Sequence, residues 1–210
     1  MYIPTHFAAP DLDTGLEVID RYGFATLVTV ADGLPFATHL PLLLDRQRGP
    51  RGSLLGHVAR ANPQWRHLEP AQPVLAIFAG PHAFVSPSWY APRPENVPTW
   101  NYVAVHVRGR PRLLDGGADT LAVVERLTAQ YDTSGYHPDV EGETIQRMSR
   151  GIVAFAIEID EVLTKLKLSQ NRTAEDRDEV ERRLAAGDDD DARGVASWMQ
   201  RLRDAADPRG

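Results

Sequence analysis

Apolar and polar residues alternate along several short stretches of the chain, which is the pattern of half-buried β-strands. The alternation is clearest in residues 100–114, where Val103, Val105 and Val107 are separated by polar or small residues. The stretches that predict strands are residues 24–30, 34–45, 53–59, 74–80, 100–114 and 152–162. Because several short strands must hide their edges, we expect them to form a six-stranded antiparallel β-barrel.

Helical patterns occur near both ends of the chain and once between the last two strands. Residues 11–22 and 117–131 carry apolar residues three and four positions apart, which favours amphipathic helices. Thr173, with Asp176 three residues later, resembles a capping box and predicts another helix. A last helix is expected over residues 192–206.

The order of these elements predicts the fold class and the domains. The chain is expected to be mainly β within the α+β class, with helices at the periphery of the barrel. Residues 1–172 would form the barrel domain, and residues 173–210 would form a C-terminal helical extension packed on it.

Composition excludes several classes of function. The net charge is −6, so no overall basic field attracts nucleic acid. Cysteine is absent, and no two of the seven histidines stand two or four residues apart, so no metal site is expected. The chain has neither a signal-peptide pattern nor the roughly 20 consecutive apolar residues of a membrane helix. We therefore expect a protein of the cytoplasm without a membrane segment.

Two clusters of polar residues interrupt the predicted strands. The first cluster is Thr38 and His39, in the middle of an apolar strand, and the second gathers at a strand end around His57, Arg60 and Asn62. An arginine at a strand end, beside the free N–H groups of a starting helix, can bind a phosphate. The alternative is that Arg60 and Asn62 satisfy a turn and cap a helix.

A third cluster lies in the sequence TKLKLSQNR, residues 164–172, which contains both lysines of the chain among 23 basic residues. Lys165 and Lys167 alternate with leucines, which predicts the end of a strand with both lysines on one face. The polar run that follows offers several donors and acceptors to a ligand. Lys167 is the preferred functional lysine, and Lys165 is expected at the surface.

Six strings in one order carry a resemblance to a known family: MYIPTHF, THLPLLLD, LLGHVARANPQW, AIFAGPHAFVSPSWY, VPTWNYVAVHVRGRPRLL and KLKLSQNR. Together they resemble the PaiB family of FMN-binding transcriptional regulators. The resemblance spans residues 1–184 and does not cover the last helix. It implies a flavin-reductase-type split β-barrel that forms a homodimer, with FMN in the groove between the subunits.

The same resemblance implies which residues contact FMN. Arg60, with Ala61 and Asn62, would meet the phosphate, and His57 lies on the same strand face. The first cluster would flank the isoalloxazine, Trp100 would cover the ring or the groove, and the third cluster would contact flavin edges or the partner subunit. A packing role is the alternative for Trp100. The implied cofactor-binding residues are Thr38, His39, His57, Arg60, Ala61, Asn62, Trp100, Lys167, Ser169, Gln170 and Asn171.

Three functions remain open at this stage. The resemblance implies an FMN-binding negative transcriptional regulator. An FMN-dependent NAD(P)H oxidoreductase is the alternative, because FMN itself would carry the hydride and no side chain is required for covalent chemistry. A haem-binding barrel is a weaker alternative. Direct DNA binding by the last two helices has little support, because acidic residues surround their arginines.

Overall fold

A computed structural model describes residues 1–114 and 116–206, and it confirms the predicted α+β class. The strands are β1 (Phe24–Ala31), β2 (Leu34–Pro41), β3 (Leu43–Asp45), β4 (Ser53–Ala59), β5 (Val74–Val85), β6 (Thr99–Leu113) and β7 (Ile152–Lys167). The helices are α1 (Leu12–Arg21), α2 (Gly117–Tyr131), α3 (Glu143–Ser149), α4 (Ala174–Ala185) and α5 (Asp190–Ala206). Short 3-10 helices span Thr5–Phe7, Pro63–His67 and Pro87–Trp89.

The described residues form one sheet of seven strands in the order β2-β1-β5-β6-β7-β4-β3, so the prediction of six strands was wrong. The predicted strand over residues 34–45 divides into β2, which pairs with β1, and β3, which pairs with β4. The division falls at Leu42, whose N–H donates to the carbonyl oxygen of Gly23 at 2.8 Å. Pro41, which has no N–H, ends β2 just before this point.

The helix predictions agree with the structure at four places. Helices α1, α2, α4 and α5 lie where apolar spacing and capping predicted them, and α5 begins at Asp190, two residues earlier than expected. The hydroxyl of Thr173 accepts a hydrogen bond from the N–H of Asp176 at 3.3 Å, which confirms it as the cap of α4. Helix α3 was not predicted, because it buries no side chain and so leaves no apolar periodicity in the sequence.

The chain divides into two compact units. Unit 1 comprises Met1–Thr14, Ala79–Val105 and Thr164–Gly210, of which residues 207–210 lie outside the described part of the chain. Unit 2 comprises Gly15–Phe78 and His106–Leu163. The predicted helical extension from residue 173 to residue 210 stays a prediction.

In unit 2, strand β4 pairs antiparallel with β7, and Gly56 lies opposite Phe155 in this register. Helix α2 covers one face of the pair. Its core contacts are made by Leu55, Leu114, Val123, Leu127, Ala154 and Ala156. Burying these side chains is the main favourable term for holding α2 on the sheet.

In unit 1, helices α4 and α5 pack against each other. Val195 and Trp198 of α5 and Val180 of α4 are almost fully buried, which explains the apolar stripes of both helices. The carboxylate of Asp176 is buried and accepts a hydrogen bond from the N–H of Ala91 at 2.8 Å. This contact ties the start of α4 to the proline-rich segment that precedes β6.

Candidate functional site

Arg60 of the second cluster lies just after β4, in unit 2, and its side chain holds a turn. Its Nε donates to the carbonyl oxygen of Arg150 at 2.8 Å, and its Nη2 donates to the carbonyl oxygen of Ile152 at 3.1 Å. A guanidinium has five N–H donors, so these two bonds leave three for a ligand. The guanidinium is also exposed, so a ligand can reach it.

Asn62 brings the first and second clusters together. Its Oδ1 accepts from the N–H of Gln64 at 3.0 Å, and its Nδ2 donates to Oγ1 of Thr38 at 2.9 Å. Asn62 therefore caps the 3-10 helix Pro63–His67, so this helix start does not offer the free N–H groups that were expected. Arg60 therefore stabilises a turn and Asn62 caps a helix, as the alternative interpretation predicted. Contact of either residue with phosphate stays a prediction.

The side chain of Gln64 locks this region onto the β1–β2 hairpin. It is fully buried, and its Nε2 donates to the carbonyl oxygens of Leu27 at 2.9 Å and Phe36 at 3.3 Å. One side chain therefore bonds both strands of the hairpin, which keeps Thr38 of β2 beside Asn62. Its partners lie 37 and 28 residues away in the sequence, so no local pattern indicates this role.

The three remaining residues of these clusters differ in accessibility. His39 is exposed and its Nδ1 lies 2.9 Å from Oγ1 of Thr26, its cross-strand neighbour, so it points to the opposite face from Thr38. His57 is half-buried, and its Nδ1 has no hydrogen-bond partner within the described residues. Burial lowers the pKa of His57, which favours a neutral ring at pH 7. Ala61 is exposed.

Arg60 also lines a cavity of about 540 Å³ in unit 2. This volume lies within the range of small-molecule binding pockets. Sequence reasoning missed most of the lining, because its residues come from distant segments without a recognisable motif. The residues that line it are Arg60, Trp65, Leu113, Leu114, Gly116, Gly117, Thr120, Ser149, Arg150, Ile152, Val153 and Ala154.

In unit 1, both lysines of the third cluster are held by neighbouring groups. The Nζ of Lys167 donates to Oγ1 of Thr99 and to the carbonyl oxygen of Trp100. Lys165 is 8% exposed, so the expectation that it is a surface residue was wrong. Its Nζ donates to the carbonyl oxygen of Tyr2 at 3.2 Å and lies 5.3 Å from the ring centroid of Tyr102, and these contacts offset the loss of water.

The side chains of the polar run after β7 form hydrogen bonds with neighbouring residues of unit 1. Ser169 adopts the left-handed conformation (φ 63°), is buried, and accepts from Nδ2 of Asn101 at 2.9 Å. The Oε1 of Gln170 accepts from the N–H of Leu168 at 2.7 Å, which closes the turn. Asn171 is exposed. Ser169 and Gln170 therefore shape the end of the strand, and their contact with a ligand stays a prediction.

Three side chains of unit 1 form an exposed aromatic patch: His82, Phe84 and Trp100. The ring centroid of Trp100 lies 6.0 Å from each of the other two, and its side chain is 52% exposed. Phe84 is 46% exposed. Two large aromatic side chains therefore lie next to each other at the surface, both largely in contact with water.

Lys167 should titrate below the ordinary lysine pKa of 10.5, mainly because it is half-buried and also because Lys165 and Arg172 are positively charged. Arg172→Gln removes one of these charges, so the pKa of Lys167 should rise part of the way towards 10.5. With two lysines in the chain, NMR of ¹³C-lysine gives resolvable side-chain signals, and Lys165→Arg assigns them. Arg193→Gln is the control, in which the pKa of Lys167 should not change. If the pKa of Lys167 is also unchanged in Arg172→Gln, the predicted effect of the Arg172 charge is wrong.

The lowered pKa has a consequence for stability. A lysine whose pKa is lower when folded binds fewer protons in the folded than in the unfolded state over the range just below 10.5. The free energy of unfolding should therefore rise with pH across that range. This rise should be smaller in Arg172→Gln.

The described residues contain no group of three or more His, Asp or Glu side chains that could hold a metal ion. Within the same residues, no helix combines the length and apolar character that crossing a membrane requires.

Comparison with known proteins shows that the chain belongs to the family of a known FMN-binding domain. A family model described as "Putative FMN-binding domain" matches residues 1–161. The chain is 36% identical over 207 residues to the "Protease synthase and sporulation protein PAI 2" of Bacillus subtilis, which covers 95% of this chain and 97% of that protein. An uncharacterised protein of Saccharomyces cerevisiae is 33% identical over 151 residues, covering 62% of this chain and 89% of that protein.

Two solved structures share the fold at low sequence identity. The flavocytochrome Anf3 of Azotobacter vinelandii has a TM-score of 0.61 and 16% identity, covering 82% of this chain and 73% of that one. The FAD- and haem-binding protein of Mycobacterium smegmatis has a TM-score of 0.60 and 16% identity, covering 85% and 80%. These likenesses concern the path of the backbone.

Proposed function

Because the chain belongs to the FMN-binding domain family and has FMN as its cofactor, we propose that it is a split-barrel flavoprotein that works as a homodimer. FMN lies in the groove between the two subunits. Arg60 binds its phosphate, and the first cluster flanks its ring.

The observation that carries this proposal is the position of Arg60. Its guanidinium is exposed at the edge of a cavity large enough for part of the cofactor, and its two bonds to carbonyl oxygens fix its orientation. A fixed arginine loses little conformational entropy when it binds a phosphate, and its bonds to the anion are charge-assisted. Thr38, bonded to Asn62, still has its hydroxyl proton to donate to the cofactor.

The aromatic patch supports the dimer. Exposing the apolar faces of Phe84 and Trp100 to water is unfavourable, and the patch gains free energy when a second subunit or a flavin ring covers it. The backbone of Trp100 is held by the bond from Lys167 to its carbonyl oxygen. Trp100 therefore contacts the cofactor or the partner subunit.

FMN supplies the redox chemistry when it is bound, since its ring accepts and donates electrons. The protein binds the phosphate, orients the ring and excludes water. His57, which burial keeps neutral, provides a nitrogen without a partner within the described residues. That nitrogen is buried, so the neutral ring of His57 places no charge beside the site.

The regulatory role is exerted through the state of the flavin rather than through direct reading of DNA by α4 and α5. Most arginines of these helices are paired with acidic residues of the same unit, which lowers their attraction for phosphates. The pairs are Arg182 and Arg183 with Glu179, Arg193 with Asp190, and Arg203 with Asp178 and Glu181.

Titration with FMN tests the proposal. The purified protein should bind one FMN per subunit, and its flavin absorption bands should shift on binding. Sedimentation equilibrium should give a dimer, and Trp100→Arg should favour the monomer because it places a charge in the patch. A protein that binds neither FMN nor riboflavin at micromolar concentrations would disprove the proposal, and a haem spectrum would identify the other cofactor class seen among the structural neighbours.

Anaerobic mixing with NADH or NADPH separates a regulator from an oxidoreductase. Loss of the oxidised flavin absorption within the mixing time of a stopped-flow instrument would show an enzyme that takes hydride from a nicotinamide. A spectrum that stays oxidised with both reductants, yet bleaches with dithionite, would leave binding and sensing as the function.

A further inference from the structure

Two arginines, Arg60 and Arg150, line the cavity in unit 2. Arg60 enters from the end of β4, and Arg150 enters from the turn between α3 and β7. The described lining residues include no Asp or Glu, although the whole chain has a net charge of −6. Among the described lining residues, the positive charge of the two arginines is not balanced by a carboxylate, and an anion bound beside them would balance it.

The two arginines are also linked through the backbone. Arg60 donates to the carbonyl oxygen of Arg150, so the bond that orients Arg60 also fixes the backbone that carries the Arg150 side chain. The indole Nε1 of Trp65 in turn donates to the carbonyl oxygen of Arg60 at 3.0 Å. The guanidinium of Arg150 itself makes no hydrogen bond or ion pair with any residue that the structure describes. It is available to a ligand.

The remaining walls leave room for a phosphate with an apolar or polyhydroxylated arm. Leu113, Ile152 and Val153 form an apolar side of the cavity. Gly116 and Gly117 form another part of the rim, and a Cβ atom built on either glycine meets nothing within 4 Å. The rim is therefore open at the glycines, where a ligand can enter without displacing a side chain.

We propose that Arg150 is a second phosphate-binding residue and that the phosphate of FMN lies in this cavity between Arg60 and Arg150. This inference rests on the proposed function. It adds Arg150, from the turn between α3 and β7, to the residues that were expected to contact FMN.

Arg150→Ala tests the inference by comparing FMN with riboflavin, which lacks the phosphate. We expect the affinity for FMN to fall about tenfold, as for the loss of one charge-assisted bond, with riboflavin changed less than about twofold. Arg147→Ala is the matched control, because Arg147 is an exposed arginine of α3 that does not line the cavity. Flavin fluorescence titration at one fixed salt concentration measures the affinities of both flavins for the unmodified protein and for the two variants.

Gly117→Glu decides the matter if Arg150→Ala does not fold. A glutamate in the first turn of α2 favours the helix, so the variant should stay folded while its carboxylate repels the phosphate at the rim. We expect weaker binding of FMN and unchanged binding of riboflavin.

The outcomes distinguish the inference from the proposed function. Native FMN affinity in Arg150→Ala and Gly117→Glu, with weakened binding in Arg60→Ala, would refute the inference and leave the proposed function in place. Equal losses of FMN and riboflavin affinity would also refute it, because they would show general damage to the site. Absence of FMN binding by the unmodified protein would refute both.

Discussion

Gly109→Ala should lower the free energy of unfolding by about 3 kcal/mol or more. A Cβ atom at this position of β6 would lie 2.3 Å from the carbonyl oxygen of Glu158 and 2.6 Å from Cγ2 of Ile157, both in β7. The carbonyl belongs to the backbone, so no rotamer change relieves the contact, and the strands must separate locally. Urea denaturation followed by circular dichroism measures the loss.

A matched control for this prediction is Gly117→Ala. A Cβ atom at Gly117 meets nothing within 4 Å, and alanine is the better residue in a helix, so stability should stay within about 0.5 kcal/mol or rise. A loss below about 1 kcal/mol in Gly109→Ala would show that β6 shifts away from β7 at little cost. The sheet would then be more deformable than its close approach at Gly109 indicates.

Arg60→Ala should weaken FMN binding by between about tenfold and 150-fold, which corresponds to roughly 1.5–3 kcal/mol for a charge-assisted contact. Riboflavin binding should change much less, since it has no phosphate for Arg60 to bind. Arg60→Lys should recover part of the FMN affinity, because it keeps the charge but lacks the planar fork that bonds two carbonyls and an anion together. Fluorescence titration of both flavins gives the comparison.

Arg60 also stabilises the turn before β7, so its removal affects folding as well as binding. Losing its bonds to the carbonyl oxygens of Arg150 and Ile152 should reduce stability by about 1–2 kcal/mol. Thermal unfolding without FMN measures this loss of stability separately from the affinity for FMN. If Arg60→Ala binds FMN as tightly as the native protein, the phosphate assignment is wrong.

Local patterns predicted those parts of the fold that depend on neighbours in the sequence. The alternation in residues 100–114 predicted β6, and Thr173 predicted the start of α4, because strand faces and helix caps are set by residues two to four positions apart. The division of residues 34–45 into two strands was missed. It depends on a bond from Leu42 to Gly23 and on a change of pairing partner, neither of which appears in the local pattern.

The candidate site was predicted only in part, because local patterns reveal individual residues but not their distant partners. Arg60 and Asn62 stand out in the sequence, but their geometry is set by partners such as Arg150, which is 90 residues from Arg60. Arg150 belongs to no motif and was missed. Lys165 looked like a surface residue because alternation alone assigned its face, whereas Tyr2 and Tyr102 cover it from elsewhere in the chain.

The bond between Lys165 and the carbonyl oxygen of Tyr2 joins residues 163 positions apart, and Ala8 forms a β-bridge with the same lysine. On a ribosome, the first segment of the chain therefore has no native partner until the end of β7 emerges. At translation speeds of about 5–20 residues per second, this segment stays unpaired for roughly ten seconds or longer. Folding of unit 1 is thus a late event, and prolonged exposure of Phe7, which is buried in the folded chain, makes chaperone access to this segment a factor in the yield of native protein.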